Sequence, residues 1–183
     1  SKDNLDNLDT VRKSIRDRIV PAAVMVDDRS VPETESTTQL ESDYEKDLEK
    51  LFCENHSVMK TALKGRVFTK DEFKKSLKED FIKSETDKVG FWCITSNSDD
   101  KVIGITGLLK CNYLNNDSYE FGFILDENNW GKGLAIEIGQ FWLEYAKNEM
   151  NLTELIATVS PKNIASLKVL EKLDMEYVDE FKS

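Results

Sequence analysis

The chain has 183 residues and a formal charge of −10, set by 25 Lys and Arg against 35 Asp and Glu. Hydrophobic residues at 39% and charged residues at 33% give the mix of one globular domain, long enough to bury a single core. A field of this sign disfavours phosphate backbones and anionic lipid and attracts amines and basic peptides, so neither nucleic acid nor a membrane surface is an expected partner.

The amino end, Ser1-Lys2-Asp3, is polar and carries no visible secretory signal. Leu5, Leu8, Val11, Ile15 and Ile19 recur three or four apart, which predicts an amphipathic helix over residues 4–19 that Pro21 ends. Residues 22–26 form a short apolar run and a strand candidate, and Pro32 closes an N-terminal extension of residues 1–32 before a domain at 33–183. Residues 37–40 are a weak strand candidate. Ser42 reads as an N-cap with Glu45 at the capping-box position, opening a helix through Tyr44, Leu48, Leu51 and Phe52. Thr69 and Glu72 repeat that signature ahead of Phe73, Leu77 and Phe81. Residues 88–95 and 101–111 are apolar and β-rich with turn residues between them, an antiparallel hairpin by pattern. A strand over 118–125 and a helix from Lys132 to about Glu149 follow, with Leu134, Ile138, Phe141, Trp142 and Tyr145 on one stripe. Residues 152–159 read as a strand, 163–173 as a helix and 176–181 as a last strand. This order predicts an α/β fold: a mixed central sheet with helices on both faces.

Cys53, Cys93 and Cys111 form no C-x-x-C pair, and the chain has one His. They compose neither a disulfide framework nor a zinc site, so no metal is expected and a reducing, cytoplasmic setting fits. His56 lies in the polar stretch Glu54-Asn55-His56-Ser57, which reads as surface.

The most informative segment is Asn128-Asn129-Trp130-Gly131-Lys132-Gly133-Leu134-Ala135, between a strand and a long helix. Small residues there let backbone amides approach a ligand at a helix start, where unpaired donors and a positive dipole end favour an anion such as pyrophosphate. The plainer alternative is a tight turn with an Asn cap. The spacing is neither G-x-G-x-x-G nor a P-loop, which disfavours a dinucleotide fold or an NTPase. About thirty residues on, Ser160-Pro161-Lys162-Asn163-Ile164-Ala165-Ser166 joins a strand to a helix with Asn163 at the N-cap.

Together, in this order, these segments resemble the GNAT superfamily of N-acetyltransferases over about residues 34–181. The W-G-K-G-x-A pattern of Trp130 to Ala135, the N-x-x-S of Asn163 and Ser166, and the run Val169 to Met175 are similar to the RimJ/RimL-like branch. The resemblance implies an acetyl-CoA-dependent acyltransferase. Trp130, Gly131, Lys132, Gly133, Leu134 and Ala135 would bind the coenzyme pyrophosphate, with Asn163 and Ser166 also at the coenzyme. Backbone amides around Phe123, Ile124 and Leu125 would polarise the acetyl carbonyl, as an oxyanion-hole donor does. Lys132 and Lys162 would meet coenzyme phosphates. Glu120 matches a glutamate base and Ser166 a partner for the departing sulfur. Leu170 occupies the position of the usual Tyr acid, and Asp174 stands where the family prefers Gly.

The acceptor implied is an amine, at a protein N-terminus or on a polyamine, aminoglycoside or amino acid; a catalytically silent module that binds CoA or a protein partner is the remaining alternative. The resemblance leaves monomer and homodimer both open. It also implies two closing strands where 176–181 offers one, so residues 22–26 are expected to cover or extend the sheet, in the same chain or a neighbouring one, with a free tail over residues 1–32 as the equal alternative.

Overall fold

The computed structural model describes residues 19–21, 44–81, 89–96, 98–113 and 116–177, with backbone alone for 19–21. Strand β1 is Ile19–Pro21. Helix α1 runs over 44–49 and tightens into a π turn at Lys50–Glu54, followed by the short α2 at His56–Met59. Helix α3 (Lys70–Glu79) begins with the expected capping box: Thr69 accepts from the Glu72 amide, and the Glu72 carboxylate accepts from the Thr69 amide. Strands β2 (Gly90–Thr95), β3 (Val102–Tyr113) and β4 (Asn116–Leu125) form two consecutive hairpins. Helix α4 is Leu134–Glu149 and α5 is Ile164–Lys172.

The sheet has the order β1-β2-β3-β4, with every ladder antiparallel. The parallel component of the expected mixed sheet is confined, among the described residues, to single bridges at Phe81–Phe91 and Glu120–Ile156. The predicted strand over 152–159 therefore contracts to Ile156. Its amide donates to Tyr119 and its carbonyl accepts from Phe121, after which the Thr158 amide turns to the Glu120 carboxylate and the chain leaves β4.

The extension also differs from expectation. Ile19 belongs to β1 and pairs with Ile94, and Pro21 sits opposite Trp92 as a strand residue rather than a helix stop. A β-branched pair suits an edge strand, where proline's missing amide hydrogen is tolerated. The rest of the predicted helix, the strands at 22–26 and 37–40, the Ser42 cap and most of the last strand lie outside the described residues. Glu176 and Tyr177 are described and belong to no element.

Helices cover both faces. On one, Phe52, Phe68, Phe73 and Phe81 pack from the α1–α3 layer onto Phe91, Cys93, Ile105 and Ile124. On the other, Ile138, Trp142 and Leu173 bring α4 and α5 onto Ile94, Leu108, Phe121 and Leu125. Trp142 is 1% exposed, and its indole N–H donates to Thr106 Oγ1 at 2.7 Å. Helix α5 ends in a Schellman turn, with Met175 N donating to Leu170 O and Asp174 N to Glu171 O. Asp174 takes φ +55°, so at the position that favours Gly it adopts the left-handed conformation Asp tolerates.

Candidate active site

The register of β4 decides which of its amides are free. Amides along an antiparallel strand face alternate sides. Tyr119 and Phe121 exchange bonds with Ile156 on the outer side, while Asp126 N donates inward to Ile103 O. The amides of Glu120, Gly122 and Ile124 therefore point into β3, and those of Phe123 and Leu125 point outward. Beyond Ile156 the outer side has no partner strand among the described residues. The Phe123 N–H is left facing the gap, while the Leu125 carbonyl accepts the Trp130 indole N–H at 2.8 Å. Of the three amides expected to polarise a carbonyl, Ile124 is thus removed, because its N–H belongs to the sheet and its side chain to the core.

Glu120, half-buried, sits where the diverging chain leaves β4. Its Oε1 accepts from the Thr158 amide at 3.2 Å, and Oε2 has no partner among the described residues. Alternation places Ser118, Glu120 and Gly122 on the face of the α1–α3 layer. A Cβ at Gly122, on the same face as Glu120, would meet no described atom within 4 Å. Opposite Ser118 lies Cys111, whose thiol is pushed up by burial and by the Glu120 charge. The Ser118 hydroxyl is buried and has no hydrogen-bond partner among the described residues.

One end of this strand leads directly into the glycine loop. Gly131 and Gly133 take φ +72° and +84°, and a Cβ on either would touch no described atom within 4 Å. Their left-handed backbone needs glycine, and the space beside them is open to a ligand. Helix α4 starts at Gly133 with no side-chain cap. The first amides to find an acceptor are those of Ile136 and Glu137, both on Gly133 O. Gly131, Lys132, Gly133, Leu134 and Ala135 donate to no carbonyl among the described residues, which leaves a run of amides at a helix start. That arrangement fits the pyrophosphate of a coenzyme. Trp130, 49% exposed, clips the loop to β4, and exposed Lys132 reaches Asn129 at 3.3 Å.

Asn163 does cap α5: its Oδ1 accepts from Ser166 N at 3.2 Å, so Nδ2 is what it can offer a ligand. The half-buried Ser166 hydroxyl makes no hydrogen bond among the described residues. Leu170 packs into the α4–α5 core and supplies no proton. Lys162 is exposed.

His56 is exposed at the start of α2, where Asn55 caps the Val58 amide. It lines a cavity of about 470 Å³ with Asp47, Lys50, Glu54, Asp126 and Glu127. The hydrogen bond from Asn55 holds the Glu127 carboxyl below its ordinary range. Among the described residues no three His, Cys, Asp or Glu side chains gather as for a metal, and no helix is long and apolar enough to cross a membrane.

Thr106 escaped the sequence reading. It is fully buried, accepts from Trp142 and donates to Gly122 O at 2.9 Å. A lone hydroxyl inside the apolar run Val102 to Leu109 was the signal available.

A family model described as the acetyltransferase (GNAT) domain matches residues 40–176. The uncharacterized N-acetyltransferase YnaD of Bacillus subtilis (strain 168) is 33% identical over 131 residues, 72% of this chain and 73% of that protein. A GNAT-family acetyltransferase from Bacillus anthracis superposes with TM-score 0.59 at 25% identity, over 72% of this chain and 74% of that one. The spermidine N-acetyltransferase of Vibrio cholerae, solved with CoA and spermine, gives 0.55 at 20% identity over 70% and 72%, a likeness of fold.

Proposed function

The chain belongs to the GNAT acetyltransferase family, whose members use acetyl-CoA, and from that premise we propose that it acetylates a protein N-terminal amine, as a cytoplasmic enzyme of the RimJ/RimL-like branch. The observation that carries the mechanism is the outward Phe123 N–H on the strand that holds Glu120 and leads into the uncapped start of α4.

Acetyl-CoA lies with its pyrophosphate on the amides of Gly131 to Ala135, flanked by Lys132 and Lys162, and its carbonyl oxygen meets the Phe123 N–H. Asn163 Nδ2 and Ser166 Oγ border the coenzyme from α5. The acceptor enters over Gly122, on the face carrying Glu120. An α-amine, with a pKa of about 8, is largely protonated at pH 7, so a proton must leave before attack. Glu120 Oε2 takes it, directly or through water. The amine nitrogen bonds to the carbonyl carbon, the C–S bond breaks, and the proton the nitrogen then loses passes to the sulfur, so coenzyme A leaves as the thiol with Ser166 beside it.

A small polyamine is the second reading, favoured by the four carboxylates of the cavity at Asp47, Glu54, Asp126 and Glu127. Thiol release from acetyl-CoA, measured against peptides with free or blocked N-termini and against polyamines, separates the two. The first reading requires turnover with free peptides and none with blocked ones. Faster turnover with polyamines would replace it by the second.

A further inference from the structure

Between α4 and β4 runs a buried chain of two hydrogen bonds whose direction is fixed by chemistry. The Trp142 indole N–H can only donate, so Thr106 Oγ1 accepts it at 2.7 Å. The hydroxyl proton is then free for the Gly122 carbonyl, which can only accept, at 2.9 Å. Thr106 is fully buried and Trp142 1% exposed, so water competes for neither bond. Trp92, opposite Thr106 on β2, stands edge-on to Trp142 with ring centroids 6.4 Å apart.

The Gly122 carbonyl and the Phe123 N–H are two ends of one trans peptide group. Its oxygen points into the sheet toward Thr106 and its N–H out into the gap. That oxygen already takes part in the ladder with Gly107, so Thr106 adds a second donor to it. A hydrogen bond to a peptide oxygen draws charge from the nitrogen and strengthens what the N–H donates, by about 10–30% per bond in chains. It also pins the peptide plane, and with it the direction of the N–H.

We propose that Thr106 is a positioning residue for acetyl transfer: oriented by Trp142, its hydroxyl aims and polarises the Gly122–Phe123 peptide whose N–H meets the thioester carbonyl. This rests on the reading of Phe123 as the carbonyl's donor. The same helix whose start offers amides to the pyrophosphate thus reaches, through Trp142, the amide that faces the acetyl group.

The test uses the full chain saturated with acetyl-CoA isotopically labelled at the thioester carbonyl, without acceptor, and reads the carbonyl stretch by infrared difference spectroscopy. In the wild type the band lies below that of free acetyl-CoA. Thr106→Val keeps shape and removes the hydroxyl; its band moves back toward the free position. Its kcat falls about fivefold, the size of one ordinary hydrogen bond, with the KM for acetyl-CoA unchanged. Thr106→Ser restores both. A Thr106→Val band identical to wild type overturns the proposal. A wild-type band already at the free position overturns the Phe123 reading itself, a distinct failure that removes the basis for Thr106 as well. If Thr106→Val fails to fold by circular dichroism, Trp142→Phe, which leaves the hydroxyl but removes the group orienting it, carries the same requirement on the band.

Discussion

The α1–α3 layer and the β4–α4 half of the molecule treat their polar groups in opposite ways. In the first, helix starts are closed by their own side chains. Asn55 caps α2, Thr69 and Glu72 box the start of α3, Arg66 and Lys64 lie on Glu72, and Lys70 reaches Glu49 at 2.6 Å. In the second, comparable groups are left open: the Phe123 N–H, the amides of Gly131 to Ala135, and one oxygen of Glu120. A closed end contributes to stability and offers a ligand nothing; an open one gives up that stability and keeps its donors for something else. The contrast between Thr69 and Gly133, two helix starts in one chain, marks where binding is expected without reference to any motif.

Substitutions should therefore separate by region. The largest effect is expected at Glu120→Gln, which keeps the size and the acceptor for Thr158 but removes basicity. The rate of acetyl transfer should drop by roughly 10²–10⁴ at unchanged coenzyme affinity, and the loss should shrink at high pH, where more amine is neutral. A mutant within about twofold of wild type at pH 7 would rule the role out, since general-base catalysis is worth far more than that. Next is Gly133→Glu, which places bulk and a like charge in the open space at the start of α4. Calorimetry should show coenzyme affinity weakened at least about tenfold, near 1.4 kcal/mol, with circular dichroism confirming the fold.

The smallest effect belongs to the closed region. Glu72 has its carboxyl held well below the usual carboxylate range by Arg66 first, then by the Thr69 amide and Lys64. A depressed carboxyl contributes stability above its unfolded pKa of about 4.3 and loses it as pH falls through its folded value. Glu72→Gln should accordingly lower Tm modestly at pH 7, converge on wild type in acid, and leave coenzyme affinity untouched. An affinity change there would break the division between the two regions.

Much of this was legible from local pattern. Thr69 with Glu72 announced α3, the stripe from Leu134 to Tyr145 announced α4, and the glycines at 131 and 133 marked the loop, because each depends on neighbours a few residues away. What depended on distant partners was not legible. The helical spacing that ended at Ile19 gave no hint of its pairing with Ile94, and the apolar run at 152–159 did not reveal that only Ile156 would find a partner. The elimination of Ile124, and the survival of Phe123, follow from the register against β3, which no spacing within β4 encodes.

The two oxygens of Glu120 do different things. One accepts from the Thr158 amide where the chain parts from β4; the other has no partner among the described residues. If Glu120 is the base proposed above, local shape and chemistry share one residue. A lineage that abandons the reaction can then exchange the carboxylate only for a side chain that still accepts from Thr158, such as Gln, if this tie is to be kept.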